Sequence, residues 1–550
     1  MTRWWLLVAG LSALYLVGGI QRDFWYPDEP DMAQITQHMI ASGDALRLFL
    51  YGREFPDYPP LFFWLTSAAG VLGGQSEWVL RLPTMLSAIG LLIVTGVWTQ
   101  RRLGPRVACW TVAVLGTAYY FVWQAVNMHL DMPFAFLIGS AIIVYDLART
   151  ASCARDRAVG WVGTALLMGV ASLVKGPAGI VLPAGVLGLD HLVRREWRGA
   201  VRVTALAAAG SCLFVAWAVA YAQAAGASNL LYFIFKQNVG RFLTGHLHLR
   251  PPYYYFINIW DSLAPWALFL PLGLVAAWRE ARRNADRPLG LAFLWFALIF
   301  VFFTISRSKR QVYILPLYPM AAVLIGYAIT RLLDAPWRER RLSWRLVLWP
   351  TVAGVLAAGL AGLCVLPFAG SRLGDYRDLM APGLVAAAML AAVGAYAAVR
   401  LRKRQPAPAL AAVAVGMGLT YLVALAWALP LMDDPLSAKA DGAWLDQETR
   451  QEAGEVVATI QLDGGALKEA SALSFYGRVP IVTLASAEDV HAYLRRQPNG
   501  LVLVEGEPDR VLAALGEFEA TIERRCQVGG DVVVAMRLRP KKGHAGAPPG

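Results

Sequence analysis

The apolar run WWLLVAGLSALYLVGG at residues 4–19 decides how this chain begins to fold, and the segment Tyr26-Pro27-Asp28-Glu29-Pro30 follows it. The run predicts a first membrane span. The segment then places two adjacent carboxylates between two prolines, directly outside that span. Folding does not require such a pair, whereas proton transfer or stabilisation of a developing positive charge at a membrane surface does. We therefore ask whether the rest of the chain supports a site at this surface.

Composition identifies a protein that crosses the membrane several times. The chain has 550 residues, of which 57% are hydrophobic and 16% charged, and its mean hydropathy is +0.47. A soluble protein has about a quarter charged residues. The net charge of +12 comes largely from short clusters between apolar runs, which indicates membrane topology rather than nucleic-acid binding. The five scattered cysteines support neither a disulfide framework nor a zinc site.

Apolar runs of roughly the length that a bilayer requires recur along the chain and predict about 13 transmembrane helices. The second run contains Pro83, and the fifth is short. Every second loop is basic, which puts the N-terminus in the cytoplasm by the positive-inside rule. The predicted spans are residues 4–20, 79–99, 107–125, 132–148, 159–173, 177–193, 200–224, 257–277, 289–305, 311–332, 346–368, 381–400 and 408–431.

The ends of the spans on the opposite side hold carboxylates together with cations. Cations at a membrane surface favour an anionic group, most simply a phosphate. Carboxylates beside them suit acid–base chemistry. This combination predicts a lipid-phosphate-linked substrate and transfer of a group to an acceptor. The residues in question are Asp28, Glu29, Asp131, Lys175, Arg241, Arg307, Lys309 and Arg310.

Simpler interpretations exist for several of these residues. The acidic pair suits the first turn of a helix. Asp131, taken alone, is better explained as the N-cap of the following span, and Lys175 as an interfacial anchor. His246 and His248 resemble solvated loop histidines more than metal ligands. Ser306-Arg307-Ser308-Lys309-Arg310 is harder to dismiss, because it places cations on the side that should lack them.

The chain divides into a transmembrane domain and a smaller soluble one. Residues 1–435 form the first and include a long loop, 21–78, with two amphipathic stretches that suit the membrane interface. Residues 440–540 alternate strand-like and helix-like runs, which predicts a small α/β domain on the side of the carboxylates. The Gly- and Pro-rich tail, 541–550, is predicted to be disordered.

Several of these stretches together resemble bacterial glycosyltransferases of the GT-C type, which use polyprenyl-phosphate sugars. The resemblance is greatest to the 4-amino-4-deoxy-L-arabinose lipid A transferase family and more distant to the protein O-mannosyltransferases. The stretches occur in family order. They are Asp28-Glu29-Pro30, Gly52-Arg53, Pro59-Pro60-Leu61, Arg81-Leu82-Pro83, Leu130-Asp131-Met132-Pro133, Leu173-Val174-Lys175-Gly176-Pro177, Gly240-Arg241-Phe242, Pro265-Trp266 and Ser306-Arg307-Ser308-Lys309-Arg310 with Tyr313.

The resemblance implies an inverting enzyme of the bacterial inner membrane with a periplasmic active site. It would move a sugar from undecaprenyl phosphate to lipid A or another envelope acceptor, with no required cofactor. Asp28 would be the principal catalytic carboxylate, with Glu29 beside it and Asp131 as a second acid. Arg241 and Tyr313 would hold the lipid phosphate. Lys175, Arg307, Lys309 and Arg310 would lie close by.

One segment departs from the family pattern. Where the arabinose transferases have Glu-Lys-Pro-Pro, this chain has Asp57-Tyr58-Pro59-Pro60. In the family the lysine points at the lipid phosphate, whereas Tyr58 carries no charge and donates one hydrogen bond. Some members hold a metal near this segment, so Asp57 with His246 or His248 is a candidate structural divalent-metal site.

Two other functions remain open. A protein O-mannosyltransferase-like enzyme differs only in its sugar and acceptor. A transporter or flippase for a lipid-linked sugar typically shows internal repeats or ionisable residues at the bilayer midplane, and the sequence shows neither clearly.

Overall fold

The predicted spans are helical in the structure. The computed structural model describes residues 4–25, 27–243, 248–283, 288–335, 342, 344–369, 374–451, 456–460, 470–505, 511, 513, 518–528 and 531–540. Within these ranges, nine helices are long and apolar enough to cross a membrane, and two bent helix pairs each suit one further span. Two shorter apolar helices, Trp4–Ile20 and Ala178–Val193, account for the remaining predicted runs. The prediction of a mainly α, polytopic membrane protein is confirmed.

Hydropathy did not predict the bends. The third predicted span divides into Pro105–Thr117 and Tyr119–Val126, which meet at 64°, and the eighth turns by 117° after Tyr254–Ser262. The other membrane-length helices are Glu77–Leu103, Asp131–Arg149, Ala154–Lys175, Trp197–Ala225, Pro288–Ile305, Gln311–Asp334, Trp344–Ala369, Tyr376–Arg402 and Pro406–Met432.

The chain forms two compact units. The first comprises Met1–Gln21, Pro56–Leu65 and Arg81–Ala428, and the second comprises Arg22–Phe55, Thr66–Leu80 and Leu429–Gly550. The long loop 21–78 is divided between the two units. The predicted domain boundaries, 1–435 and 440–540, stay a prediction.

Close helix packing in the first unit depends on small residues. A Cβ atom added at Gly359 would lie 2.2 Å from the backbone nitrogen of Ala391, and one at Gly394 would lie 2.6 Å from Cα of Leu356. The Trp349–Ala369 and Met380–Arg402 helices therefore touch backbone to backbone. Small residues allow this approach where the surrounding lipid offers no hydrophobic driving force for association.

A buried ion network joins the ends of three spans of the first unit. Asp146 is fully buried, and its carboxylate lies 2.6 Å from Nη2 of Arg149 and 3.1 Å from Nε of Arg102. Arg149 also lies 2.6 Å from Asp190. Trp98 Nε1 donates to Asp146 over 2.7 Å. The arginines are those of the predicted basic loops, so these residues also hold the helix ends together.

Asp146→Asn is expected to lower the free energy of unfolding by about 3–5 kcal/mol, because it removes the buried carboxylate that Arg102 and Arg149 share, while Arg149 keeps Asp190. Asp334→Asn is the matched control, since Asp334 pairs with Arg106 at 3.5 Å on an exposed surface, where an ion pair contributes about 1 kcal/mol or less. Thermal unfolding of both variants in the same detergent measures the difference. Equal stability losses would contradict this assignment.

The second unit contains a five-stranded sheet that confirms the predicted α/β character. Its first three strands are parallel and the last two antiparallel to their neighbours. Ser486 caps the Ala487–Arg496 helix and forms a capping box with Asp489. Across the sheet the strands are Ile481–Leu484, Val457–Ile460, Leu501–Glu505, Asp531–Pro540 and Phe518–Val528.

The same unit holds the two amphipathic stretches of the first loop. They form the Asp28–Ser42 helix and most of the Leu61–Gly73 helix. The first helix ends at Gly43, whose φ of +70° suits a residue without a side chain. Between the helices, Phe49–Leu50 pairs with Arg53–Glu54 as a short hairpin.

The segment before the Asp28–Ser42 helix is held by hydrogen bonds and ion pairs within this unit. Asp433 accepts from the backbone nitrogen of Asp23 and, over 2.7 Å, from Nε1 of Trp25. Lys439 Nζ lies 2.8 Å from both Asp23 and Glu77. Burial and the neighbouring Asp23 carboxylate raise the pKa of Asp433 to about 6. These contacts fix the position of the chain just before the Asp28–Ser42 helix begins.

Candidate active site

Asp131 is the centre of a buried charge cluster in the first unit. Leu130 occupies the N-cap position, and Asp131 is the first residue of the Asp131–Arg149 helix. Its carboxylate is 1% exposed, pairs with Lys175 Nζ, and lies 2.9 Å from Nδ1 of His129. The interpretation of Asp131 as an N-cap is therefore wrong. Its side chain turns to a cation from another helix instead of capping its own.

Lys175 joins the acid to an aromatic side chain. It is the last residue of the Ala154–Lys175 helix, and Gly176 follows with a φ of +71° that ends the helix. Its ammonium nitrogen lies 4.6 Å from the centre of the Tyr313 ring and 5.7 Å from that of Phe134. Because its side chain is one-fifth exposed, the ammonium can also reach an anion outside the cluster. Three predicted site residues, Asp131, Lys175 and Tyr313, thus lie together.

The basic segment 306–310 is anchored by its backbone. Arg307 and Lys309 donate through their backbone nitrogens to the carbonyl oxygens of Phe242 and His248, over 3.2 and 3.0 Å. Lys309 is buried, and its ammonium donates to the carbonyl oxygens of Ser306 and Arg250. Burial lowers the pKa of Lys309. Its ammonium stabilises the loop, whereas the exposed Arg307 side chain is accessible to an anion.

Arg310 connects this segment to Tyr313 and to a neighbouring helix. Its carbonyl oxygen accepts from the backbone nitrogen of Tyr313 over 3.0 Å and from the hydroxyl of Tyr255 over 2.9 Å. The hydrogen bond to Arg310 holds the backbone of Tyr313 in place. The Lys175 ammonium lies over the face of the Tyr313 ring. This arrangement presents a cation and a phenol hydroxyl together, which suits a phosphate oxygen.

The segment Asp57-Tyr58-Pro59-Pro60, which departs from the family pattern, has a polar partner that the sequence did not predict. Asp57 accepts from Nε2 of Gln237 over 2.5 Å, and Gln237 also donates to the hydroxyl of Tyr232 over 3.0 Å. Gln237 lies in the π-helix Tyr232–Gly240. Arg241 directly follows the end of this π-helix. Tyr58 is half-buried. The structure thus brings the Asp57 segment next to the loop that carries Arg241.

The candidate metal ligands Asp57, His246 and His248 lie only partly within the described residues. His246 lies outside the described residues, and His248 is exposed. Among the residues that the structure describes, no group of three His, Cys, Asp or Glu side chains is placed to hold a metal. Asp57 engages an amide instead. A structural metal held by Asp57, His246 and His248 therefore stays a prediction.

Asp28 and Glu29 lie in the second unit, on the first turn of the Asp28–Ser42 helix. Pro27 takes the N-cap position and has no side-chain group that can cap. Glu29 is 4% exposed and lies 2.8 Å from Nη1 of Arg22, which is itself buried. Asp28 is half-buried. Since Glu29 is neutralised inside the unit, Asp28 is the member of the pair that suits chemistry.

Comparison with known proteins identifies what the chain resembles. The family described as Dolichyl-phosphate-mannose-protein mannosyltransferase matches residues 57–222. An undecaprenyl phosphate-alpha-4-amino-4-deoxy-L-arabinose arabinosyl transferase of Pseudomonas aeruginosa is 29% identical over 332 residues, which is 60% of each chain. An enzyme of the same name from Pseudomonas fluorescens is 28% identical, over 69% of this chain and 68% of its own. The chain thus spans about 60% of the length of the first of these relatives.

A solved structure extends the likeness to the full chain. The crystal structure of ArnT from Cupriavidus metallidurans bound to undecaprenyl phosphate has a TM-score of 0.79, is 25% identical and covers 99% of both chains. The chain is similar to the arabinosyl transferases and has the fold of this structure, the GT-C fold. It is a multi-pass membrane protein.

Two residues that contact predicted site residues, His129 and Gln237, were not identified from the sequence. His129 lies two positions before Asp131 in the sequence, but only the fold directs its ring at the carboxylate. Gln237 lies 180 positions from Asp57, and no local pattern links them. The catalytic and phosphate-binding roles of Asp28, Glu29, Asp131, Tyr58, Lys175, Arg241, Arg307, Lys309, Arg310 and Tyr313 stay predictions.

Proposed function

We propose that this chain is an inverting glycosyltransferase that moves 4-amino-4-deoxy-L-arabinose, or a related sugar, from undecaprenyl phosphate to lipid A or another envelope acceptor. The observation that carries the proposal is the full-length likeness to ArnT with undecaprenyl phosphate bound. The curated relatives, named for transfer of this sugar, support the same donor. The buried acid with its cation and phenol is the chemistry that a lipid phosphate would use.

The reaction depends on stabilising the charge of the departing phosphate, and it needs no covalent enzyme intermediate. An acceptor oxygen attacks the anomeric carbon, the bond from that carbon to the phosphate oxygen breaks, and the electron pair leaves with undecaprenyl phosphate. Lys175 and the Tyr313 hydroxyl are proposed to stabilise the departing phosphate, with Asp131 fixing the lysine. Asp28 would take the proton from a hydroxyl acceptor and would orient an acceptor phosphate that is already ionised.

The membrane orientation follows from the basic loops. We propose that the N-terminus and the loops joined by the Asp146 network face the cytoplasm of a bacterium, because positive charges are retained there. Asp28, Asp131, Lys175 and the sheet of the second unit would then face the periplasm. The donor would be taken from the outer leaflet of the inner membrane.

A second candidate function is protein O-mannosylation. The match of residues 57–222 to the protein mannosyltransferase family favours it, and Tyr58 in place of the lysine of the arabinose transferases leaves the sugar open. Mass spectrometry of lipid A and of envelope proteins, from cells with and without the intact gene, tests both functions. Transfer to lipid A predicts one added amino-pentose on lipid A. An unchanged lipid A with glycosylated protein would replace the first proposal with the second.

A further inference from the structure

The second unit contains a half-open cavity that the proposed reaction leaves unexplained. Its volume is about 1050 Å³, and it lies between the Asp28–Ser42 helix, the short hairpin and the region around the Ala470–Gly477 helix. All the residues that line it belong to this unit. Ligand cavities are typically about 300–1000 Å³ in volume, so it is large enough for an oligosaccharide-sized ligand.

One face of the Asp28–Ser42 helix forms a polar wall of the cavity. Gln34, Gln37, His38 and Ala41 line it, at the spacing that brings side chains to one face of a helix. Gln34 is 7% exposed, and its Oε1 atom has no hydrogen-bond partner among the described residues. A buried acceptor without a donor costs about 1–3 kcal/mol. The oxygen is covered by protein, so a rotation of the Gln34 side chain toward the cavity would let a ligand hydroxyl or amide N–H remove that cost.

The charges that line the cavity are largely neutralised within the protein. Lys439 lies 2.8 Å from Glu77, which also lines the cavity, and from Asp23. The remaining cation, Arg478, is exposed at the rim. A free phosphate or an anionic headgroup would need a cluster of unpaired cations. Among the described residues this cavity instead offers amides, an imidazole and hydroxyl groups, which suit a neutral, polyhydroxylated ligand.

Aromatic rings complete the wall. His38 lies over Phe49 at 4.7 Å, and Tyr51 and Tyr476 also line the cavity. Flat rings offer apolar surface, while the tyrosines and the imidazole keep a polar edge. A sugar ring has the matching character, because its faces carry C–H groups and its edge carries hydroxyls.

The cavity is coupled to the helix that begins at Asp28. The hydroxyl of Tyr51 donates to Asp31 over 2.6 Å, and Asp31 lies three residues after Asp28. Gln34 follows three residues later. A ligand held by Gln34 and Tyr51 would therefore lie against the same helix that carries the proposed catalytic acid.

We propose that this cavity binds the saccharide part of the acceptor, through the Gln34 and Gln37 amides and the aromatic rings of Phe49 and Tyr51. The identity of the ligand as an acceptor rests on the proposed function. The recognition of a saccharide rests on the cavity alone.

Titration of chitobiose, a neutral disaccharide, into the full-length protein in nanodiscs tests the proposal. Saturation-transfer NMR would give the dissociation constant. The wild type is expected to bind, and Gln34→Leu and Gln37→Leu to bind about tenfold or more weakly, since each loses hydrogen bonds to the ligand. Gln447→Leu is the matched control, because Gln447 is exposed on a helix of the same unit and does not line the cavity.

No binding by the wild type, or wild-type affinity in both cavity variants, would overturn the proposal. Undecaprenyl phosphate binding, measured in the same nanodiscs, is expected to be unchanged in Gln34→Leu and reports that the variant is folded. If chitobiose binds but the wild-type protein transfers no sugar, the proposed function fails while the saccharide site stands. If transfer occurs without chitobiose binding, only the saccharide site fails.

Discussion

Asp28→Asn is expected to slow sugar transfer by at least about 100-fold, because a positioned acid or base contributes about 10²–10⁴-fold to rate. Asp28 is the half-buried member of the acidic pair, and Glu29 is engaged by Arg22 and cannot replace it. The substitution keeps the size of the side chain but removes its negative charge and its ability to accept a proton. Initial rates of the purified variant in nanodiscs, at saturating donor, measure the effect.

A helix-stabilising role for Asp28 makes a different prediction, and a matched variant separates the two. Asp156 also lies in the first turn of a helix, is exposed, and has no proposed part in catalysis. Loss of an acid at a helix N-terminus costs about 0.3–1 kcal/mol through the helix dipole. Asp156→Asn should therefore keep nearly the wild-type rate. If Asp28→Asn transferred sugar as fast as Asp156→Asn, Asp28 would not be catalytic.

Lys175→Met is expected to lower transfer by about 100-fold or more, the typical cost of removing one preorganised group that stabilises developing charge. It also leaves the Asp131 carboxylate buried without its cation, which costs about 3–5 kcal/mol of stability. Activity and thermal unfolding should both fall. The matched control is Lys236→Met, because Lys236 is an exposed lysine of the same unit that lies over Tyr232 at 5.2 Å.

The double variant Asp131→Asn/Lys175→Met distinguishes catalysis from structure. Removing both partners of an ion pair avoids the cost of one buried unpaired charge. The double variant should regain most of the lost stability and none of the lost activity. Recovery of transfer together with stability would mean that Lys175 only neutralises Asp131.

The membrane architecture could be predicted from the sequence because it depends on local composition. Apolar length and alternating basic loops are properties of short segments, so each predicted run lies on a helix. The bend after Thr117 could not be predicted from the sequence. It arises because Ala118 adopts an extended conformation, and nothing in the apolar segment around it signals that. Likewise, the strand Phe518–Val528 is largely exposed, so no apolar run marks it in the sequence. Its pairing with Asp531–Pro540, rather than its own hydropathy, makes it a strand.

The site was only partly readable, because its contacts join distant positions. Lys175 lies 44 residues from Asp131, and charge alone suggested that both lie on one side of the membrane. The sequence did not distinguish Lys309, which serves its own loop, from Lys175, which reaches another helix. Residue chemistry alone did not distinguish Glu29 from Asp28. The resemblance named Asp28, and the structure adds the physical difference, which is the buried Arg22 beside Glu29.

The most direct test of the central claim is transfer by the purified protein. Full-length protein in nanodiscs would be incubated with undecaprenyl phosphate-linked 4-amino-4-deoxy-L-arabinose and lipid A, and the products analysed by mass spectrometry. We expect lipid A to gain one amino-pentose, undecaprenyl phosphate to be released in equal amount, and Asp28→Asn to give neither product. Intact donor and unmodified lipid A after incubation with the wild-type protein would contradict the proposed donor and acceptor.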